Sequence, residues 1–339
     1  MSNENKYAVV FAGQGAQSPG MGKSLYDVSP AAREVFDRAG DEIKYDCFEA
    51  DAERLRQTEV TQPAVYTVDM AAYAALREAL AIGENGFSEP SGVAGFSLGE
   101  YAAFTAAGAI GSIEEGLALV KKRSLLMKAA GTAPDGTEIG AMAAGMGERD
   151  AVLSLVEQAR DGDVLEAVNF NSPKQTVVAG DVAAIERFAA LAAADRGLGV
   201  KAIKLPVSGA FHSPIMKPAA EGFTEALGDY SFCAPSIPVY LNVTGGSYEG
   251  YAAATVGSAS AKIKALMVCQ LQSPVQWQAI VEAMAADGIG AIIEIGPGKT
   301  LSGLVKKITP EIATAHVEDA ESLAEVVERV KGGELWTCC

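Results

Sequence analysis

Gly95-Phe96-Ser97-Leu98-Gly99 sets a serine between two glycines in the pattern G-x-S-x-G. On a strand-turn-helix this pattern exposes a nucleophilic hydroxyl. The flanks fit: Ser91-Gly92-Val93-Ala94 is long enough for a buried strand, and Glu100 to Ala107 is Ala-rich and helix-forming. Glycine at 95 and 99 permits a tight turn and close helix packing. A serine at the start of that helix faces backbone N–H groups and the positive end of the dipole, which favour a developing oxyanion. The same five residues also suit an ordinary turn, so a nucleophile needs partners elsewhere.

Two histidines are available. His316 lies in Ile312-Ala313-Thr314-Ala315-His316-Val317, which reads as a strand, and is taken as structural. His212 lies in the loop Pro206 to Pro214, where Ser213 and Pro214 start a helix. A helix N-terminus disfavours imidazolium, which leaves His212 neutral and able to accept a proton.

A cation in an unusual place adds to these two. Ser112-Ile113-Glu114-Glu115 is a capping box that opens a helix ending at Gly131. With Val120 at 0°, Ile113, Leu117, Ser124 and Met127 fall within about 60°, and Arg123 falls at about 300°, inside the same apolar arc. Lys121, Lys122 and Lys128 point to the wet side. Arg123 either snorkels to water along its stem or turns its guanidinium into a cleft to bind a carboxylate.

Composition narrows the classes. The chain has 339 residues, 49% hydrophobic and 21% charged, with a formal net charge of −16. It is long enough for a large core. The charge disfavours nonspecific binding to nucleic acid or an anionic membrane. No apolar run reaches the roughly 18 residues of a spanning helix, and the first residues carry no secretory pattern. Cysteines at 47, 233, 269, 338 and 339 show no metal spacing and read as reduced cytoplasmic thiols. Cys338-Cys339 closes a Gly-rich tail and is expected to fray. Nucleotide loops fail on single positions. Ser18 replaces the third glycine of G-x-G-x-x-G, and Gln17 and Ile293 replace the first glycine of two candidate P-loops.

The elements that position these residues alternate. Tyr7 to Phe11 is a strand followed by a Gly-rich loop, Ser29-Pro30 opens a helix, and Thr61-Gln62-Pro63 opens another to Leu80. Further strands are expected at 238–243 and 291–295. This is the pattern of an α/β fold with a doubly wound, mainly parallel sheet. Residues from about 137 to 206 read instead as strand, helix, two strands, helix and strand, a ferredoxin-like βαββαβ order. The expected organisation is a large subdomain of 1–134 and 207–339 with a small one of 135–206 inserted, and a cleft between them.

In chain order, these stretches resemble the malonyl-CoA:acyl carrier protein transacylases of fatty acid synthesis and the related acyltransferase domains of polyketide synthases. The resemblance rests on Phe11 to Gln17, Thr61 to Ala64, Gly95 to Glu100, Leu119 to Arg123 and Asn169 to Pro173. It continues in Ala210 to Ser213, Gln270 to Trp277 and Glu294 to Gly298. It implies an α/β-hydrolase-like core and a Ser97–His212 dyad. The histidine would be oriented by a backbone carbonyl and the Gln270 side chain. The backbone N–H groups of Gln14 and Leu98 would form an oxyanion hole, Gln62 would line the site, and Arg123 would grip the malonyl carboxylate. Phe211 would narrow the space an α-methyl branch needs. The implied substrates are malonyl-CoA and acyl carrier protein, with no cofactor, no metal, and a cytoplasmic monomer. Phe96 stands where the family most often has histidine, and Ser124 where glycine is usual. A polyketide acyltransferase, a serine esterase and a non-catalytic carrier-binding subunit are the rival readings.

Overall fold

Strand β1 (Lys6–Phe11) buries both faces, with Tyr7, Val9 and Phe11 in one apolar cluster and Ala8 and Val10 in another. An unbroken apolar run asks for this in a parallel sheet covered on two sides. The computed structural model describes residues 6–83, 86–207 and 209–335; Cys338 and Cys339 lie outside them. The further strands described are β2 (Gly92–Gly95), β3 (Gly140–Met146), β4 (Leu165–Ser172) and β5 (Gln175–Asp181). They continue with β6 (Lys201–Lys204), β7 (Val239–Tyr240), β8 (Ile289–Ile295) and β9 (Ala313–Val317).

One sheet runs in the order β7-β2-β1-β8-β9, every neighbouring pair parallel. Helices Thr58–Leu80, Gly99–Ala106 and Ile113–Ala130 pack on one face, and Trp277–Ala286 and Thr300–Ile308 on the other. The doubly wound core expected from the alternating pattern is therefore present. A second sheet, in the order β4-β5-β3-β6, is antiparallel throughout and has its own core around Val152, Leu155 and Phe188. Its helices Arg149–Arg160 and Val182–Ala194 connect the strands in the ferredoxin-like order. No helix among the described residues is long and apolar enough to cross a membrane.

Two of the boundaries that differ from the sequence expectation have a clear local reason. The helix placed at Thr61 starts at Thr58, after an extended Gln57, and carries Pro63 inside it. Thr61 Oγ1 donates to the Leu55 carbonyl at 2.5 Å instead of capping. The strand expected over 238–243 stops at Tyr240, because Leu241 N–H closes a turn onto the Gly246 carbonyl at 2.8 Å.

The elbow depends on two glycines. A Cβ on Gly95 would lie 1.8 Å from the Gly99 carbonyl carbon, and one on Gly99 would lie 2.3 Å from the Phe11 carbonyl oxygen. Both obstacles are backbone, so a side chain at either position has nowhere to go. Gly95→Ala is expected to cost about 3 kcal/mol, at the upper end of overpacking effects. Chemical denaturation reads this directly, and an unchanged midpoint would contradict the close approach.

Candidate active site

Ser97 occupies the turn between β2 and helix Gly99–Ala106 with φ of 53°, a left-handed conformation rare for a residue with a Cβ. Asn242 holds it there. The Asn242 Oδ1 accepts from Ser97 N–H at 2.7 Å, and its Nδ2 donates to the Gly95 carbonyl at 2.7 Å. The side chain thereby clips both ends of the turn. The loop after β1 packs against it so closely that a Cβ on Gly13 would lie 2.4 Å from the Phe96 carbonyl oxygen. Gln14 is anchored by its side chain, donating to Thr58 Oγ1 at 2.7 Å. Leu98 is the N-cap residue of the following helix. Leu98 thus stands next to the serine at the helix end, and Gln14 on the loop packed against the turn.

His212 reaches the serine from a second left-handed position, with φ of 64°. Its Nε2 lies 2.8 Å from Ser97 Oγ, and its Nδ1 lies 2.8 Å from the Gln270 backbone carbonyl. The carbonyl can only accept, so Nδ1 carries the proton and Nε2 is free to take one from the serine. Burial, and next the charge of Arg123, pull the His212 pKa down to about 4. The cause is not the helix dipole expected from sequence: Ser213 caps only a single 3-10 turn, and the α-helix starts at Lys217. His316 sits in β9 beside Glu318, away from these groups.

Arg123 is 1% exposed, which excludes the snorkelling alternative. Its Nη2 donates to Ser97 Oγ at 3.0 Å and to Gln270 Oε1 at 3.1 Å, and its Nη1 donates to Gln62 Oε1 at 2.6 Å. The guanidinium carbon stands 5.3 Å from the centre of the Tyr101 ring. All three acceptors are neutral, Nε has no partner, and Arg123 makes no ion pair among the described residues. A buried cation with no carboxylate in direct contact is an expensive arrangement. Here it is also a ready receptor for an anionic group beside the nucleophile.

The Gln270 side chain does not orient His212, contrary to the expectation from the resemblance; its backbone carbonyl does. The amide faces away, with Nε2 donating to the Ser97 carbonyl at 2.8 Å and to Glu100 Oε2 at 2.5 Å. Phe211 is buried beside the histidine. Phe96 is half-buried, its ring edge-on to Trp277 at 5.6 Å. It also lines a cleft of about 420 Å³ whose walls come from both sheets, with Gln14 on one side and Asn169, Val177 and Leu205 on the other. A larger hollow of about 630 Å³ around Tyr73 and Arg77 touches none of the residues at Ser97.

Glu100 and Asn242 are the site residues that sequence reasoning missed. Glu100 is a charge in an otherwise apolar helix, and Asn242 is a polar interruption in Val239-Tyr240-Leu241-Asn242-Val243. Each is a local signal of a buried polar contact.

A family model described as acyl transferase domain matches residues 8–331. The chain is 39% identical to the malonyl CoA-acyl carrier protein transacylase of Haemophilus influenzae, over 95% of this chain and 98% of that one. Among solved structures it is similar to malonyl CoA-acyl carrier protein transacylase from Clostridium perfringens, with a TM-score of 0.85 and 35% identity over 97% and 98% of the two chains. It is also similar to a malonyl-transacylase solved in complex with its type II polyketide synthase acyl-carrier protein. There the TM-score is 0.84 and the identity 33%, over 96% and 99%.

The geometry makes a spectroscopic prediction. The His212 ring resonances should remain those of a neutral imidazole protonated at Nδ1 as pH falls through the ordinary histidine range, titrating only near pH 4. Nitrogen NMR of the two histidines checks it. A midpoint near the unperturbed value of about 6.5 would contradict the buried, Arg123-facing environment.

Proposed function

From the premise that the chain belongs to the acyl transferase domain family, we propose that it moves malonyl from malonyl-CoA to the phosphopantetheine thiol of acyl carrier protein. The observation that carries this is the Arg123 guanidinium, buried, in no direct ion pair among the described residues, and in contact with the nucleophile's own oxygen.

In the first half-reaction, His212 Nε2 takes the Ser97 proton and Oγ attacks the thioester carbonyl carbon. The negative charge that develops on the carbonyl oxygen is met by the backbone N–H groups of Gln14 and Leu98. The intermediate collapses, the C–S bond breaks, and CoA leaves with the proton that His212 returns. In the second half-reaction the carrier thiol gives its proton to His212 and attacks the malonyl-serine ester; the C–O bond breaks, and Ser97 Oγ leaves with the proton that His212 returns. Both acyl links are reactive enough that the reading calls for no cofactor and no metal.

Malonyl differs from acetyl by one carboxylate, attached through a single CH₂ to the reacting carbonyl. A guanidinium touching Oγ is within reach of it. On binding, Arg123 exchanges neutral acceptors for a charged one, and charge-assisted hydrogen bonds are roughly twice as strong. Gln62 keeps the other end of the guanidinium in place. Phe211, buried next to the base, leaves little room for a branch at the malonyl α-carbon. The reading includes a cytoplasmic enzyme acting as a monomer; Cys47, Cys233 and Cys269 are free thiols, which fits a reducing compartment.

Arg123→Ala should lower kcat/KM for malonyl-CoA by roughly 30-fold to several-thousand-fold, the equivalent of removing one member of a buried charge pair, about 2–5 kcal/mol. Transfer from acetyl-CoA should be spared. Steady-state rates with both thioesters test this, and an unchanged malonyl-to-acetyl ratio would remove Arg123 from substrate selection. His212→Ala should slow both substrates alike, by about 10²–10⁴. A ratio shifted by that variant would point to a role in binding instead.

A further inference from the structure

Glu100 is a carboxylate 2% exposed in the first turn of helix Gly99–Ala106, and the two half-reactions give it no part. Its Oε1 accepts from the Asn242 backbone N–H at 2.6 Å, and its Oε2 accepts from Gln270 Nε2 at 2.5 Å. The other end of the same amide, Gln270 Oε1, accepts from Arg123 Nη2 at 3.1 Å. Arg123 and Glu100 make no direct contact but are linked through this one amide.

The inserted amide has only one workable orientation. Reversed, its oxygen would face two acceptors, the Glu100 carboxylate and the Ser97 carbonyl, and its N–H groups would face the guanidinium. The Glu100 carboxylate, with the Ser97 carbonyl, thus sets which end of Gln270 meets Arg123, and the carboxylate makes the charged one of those two hydrogen bonds. It also supplies the negative charge, one residue removed, that lets a buried guanidinium lie beside Ser97 while keeping its own ion-pairing position open.

We propose that Glu100 is a positioning residue for acyl selection: acting through Gln270, it holds the Arg123 guanidinium ready for the substrate carboxylate. This rests on the reading of Arg123 as the partner of malonyl's free carboxylate. Glu100 does not touch substrate, and its effect falls on the preference for malonyl more than on the chemistry of Ser97.

The proton on Glu100 is the natural lever. Burial raises its pKa to about 7, against the hydrogen bonds from Asn242 and Gln270 and the charge of Arg123. The groups that face it are Arg123, the charged one, together with Gln270, Asn242 and the neutral Tyr101 next in the helix. A raised carboxyl pKa leaves the proton on below pH 7 and takes it off above. A protonated carboxyl gives up the charge-assisted hydrogen bond from Gln270 Nε2 and leaves the amide held only by the Ser97 carbonyl and Arg123, so malonyl preference should be weaker on the acid side and full on the basic side. Titrations that affect every acyl donor equally cancel in the ratio.

The test is the ratio of kcat/KM for malonyl-CoA to that for acetyl-CoA, measured against pH in wild type, Glu100→Gln and Arg123→Ala. A glutamine at 100 replaces one of the two accepting oxygens with an NH₂ group, so either the Asn242 N–H loses its acceptor or Gln270 Nε2 keeps only the Ser97 carbonyl. The wild-type ratio should rise about tenfold across the interval centred near pH 7, the worth of one hydrogen bond to a charged group. In Glu100→Gln it should stay at the low value throughout. If Arg123→Ala collapses the ratio but Glu100→Gln matches wild type, the proposal fails and the reading of Arg123 stands. A flat wild-type profile has the same consequence and needs no variant, so an unstable Glu100→Gln does not protect the idea. If Arg123→Ala leaves the ratio unchanged, the reading of Arg123 falls and the proposal with it.

Discussion

A residue with a side chain held at φ of 53° is the constraint on which this structure turns. Left to itself, the Ser97 backbone would relax, at a gain of about 1–3 kcal/mol. It is held by the sheet behind it and by two contacts that reach across the chain. Gly95 and Gly99 let strand and helix approach until backbone meets backbone. Asn242, in the turn just after β7 and 145 residues later in sequence, takes the Ser97 amide as a hydrogen-bond donor. The turn that closes Leu241 onto Gly246 ends β7 after two residues and leaves Asn242 beside the elbow. The strain lifts the hydroxyl off the sheet to where His212, Arg123 and the Gln14 loop converge.

Around that hydroxyl, dehydration sets the protonation states. Nearly all the ionisable groups nearby are fully buried, and burial is the largest cause of each shift: His212 down to about 4, Glu100 up to about 7, Arg123 below its ordinary value. Arg123 adds to burial at His212 and opposes it at Glu100. The cation keeps the histidine neutral, so the base is available without a carboxylate behind it, and a backbone carbonyl suffices to hold its tautomer. The cation itself is left facing neutral oxygens. A site built in this way is incomplete until an anion enters, which links substrate recognition to the same electrostatics that prepare the base.

What could be read from sequence followed the range of the interactions. The elbow was legible because its glycines, strand and helix are contiguous, and Arg123 because the 3.6-residue period alone places it in the apolar arc. Both sheets followed from element order. Contacts between distant segments were not legible. Glu100 and Asn242 are inconspicuous singly and acquire meaning only when β7 ends against the elbow helix. Gln270 divides its backbone and side chain between two partners, which no pattern of residue types encodes. The start of helix Thr58–Leu80 was hidden by Pro63, whose usual place in the first turn pointed to a later beginning. Some local signals were plain yet unused: Ser258 caps helix Ala259–Gln270, and Asp319 with Ser322 forms a capping box for Ala320–Lys331.

The central claim is that malonyl is carried on Ser97 and handed to a thiol. Intact-mass and peptide-mapping spectrometry of the enzyme after brief exposure to malonyl-CoA tests it most directly, with carrier protein bearing its phosphopantetheine added to half of the sample. The account predicts a single malonyl adduct on the peptide containing Ser97, cleared by the carrier far faster than by water. An adduct on another residue, no adduct, or discharge by water as fast as by the carrier would contradict it.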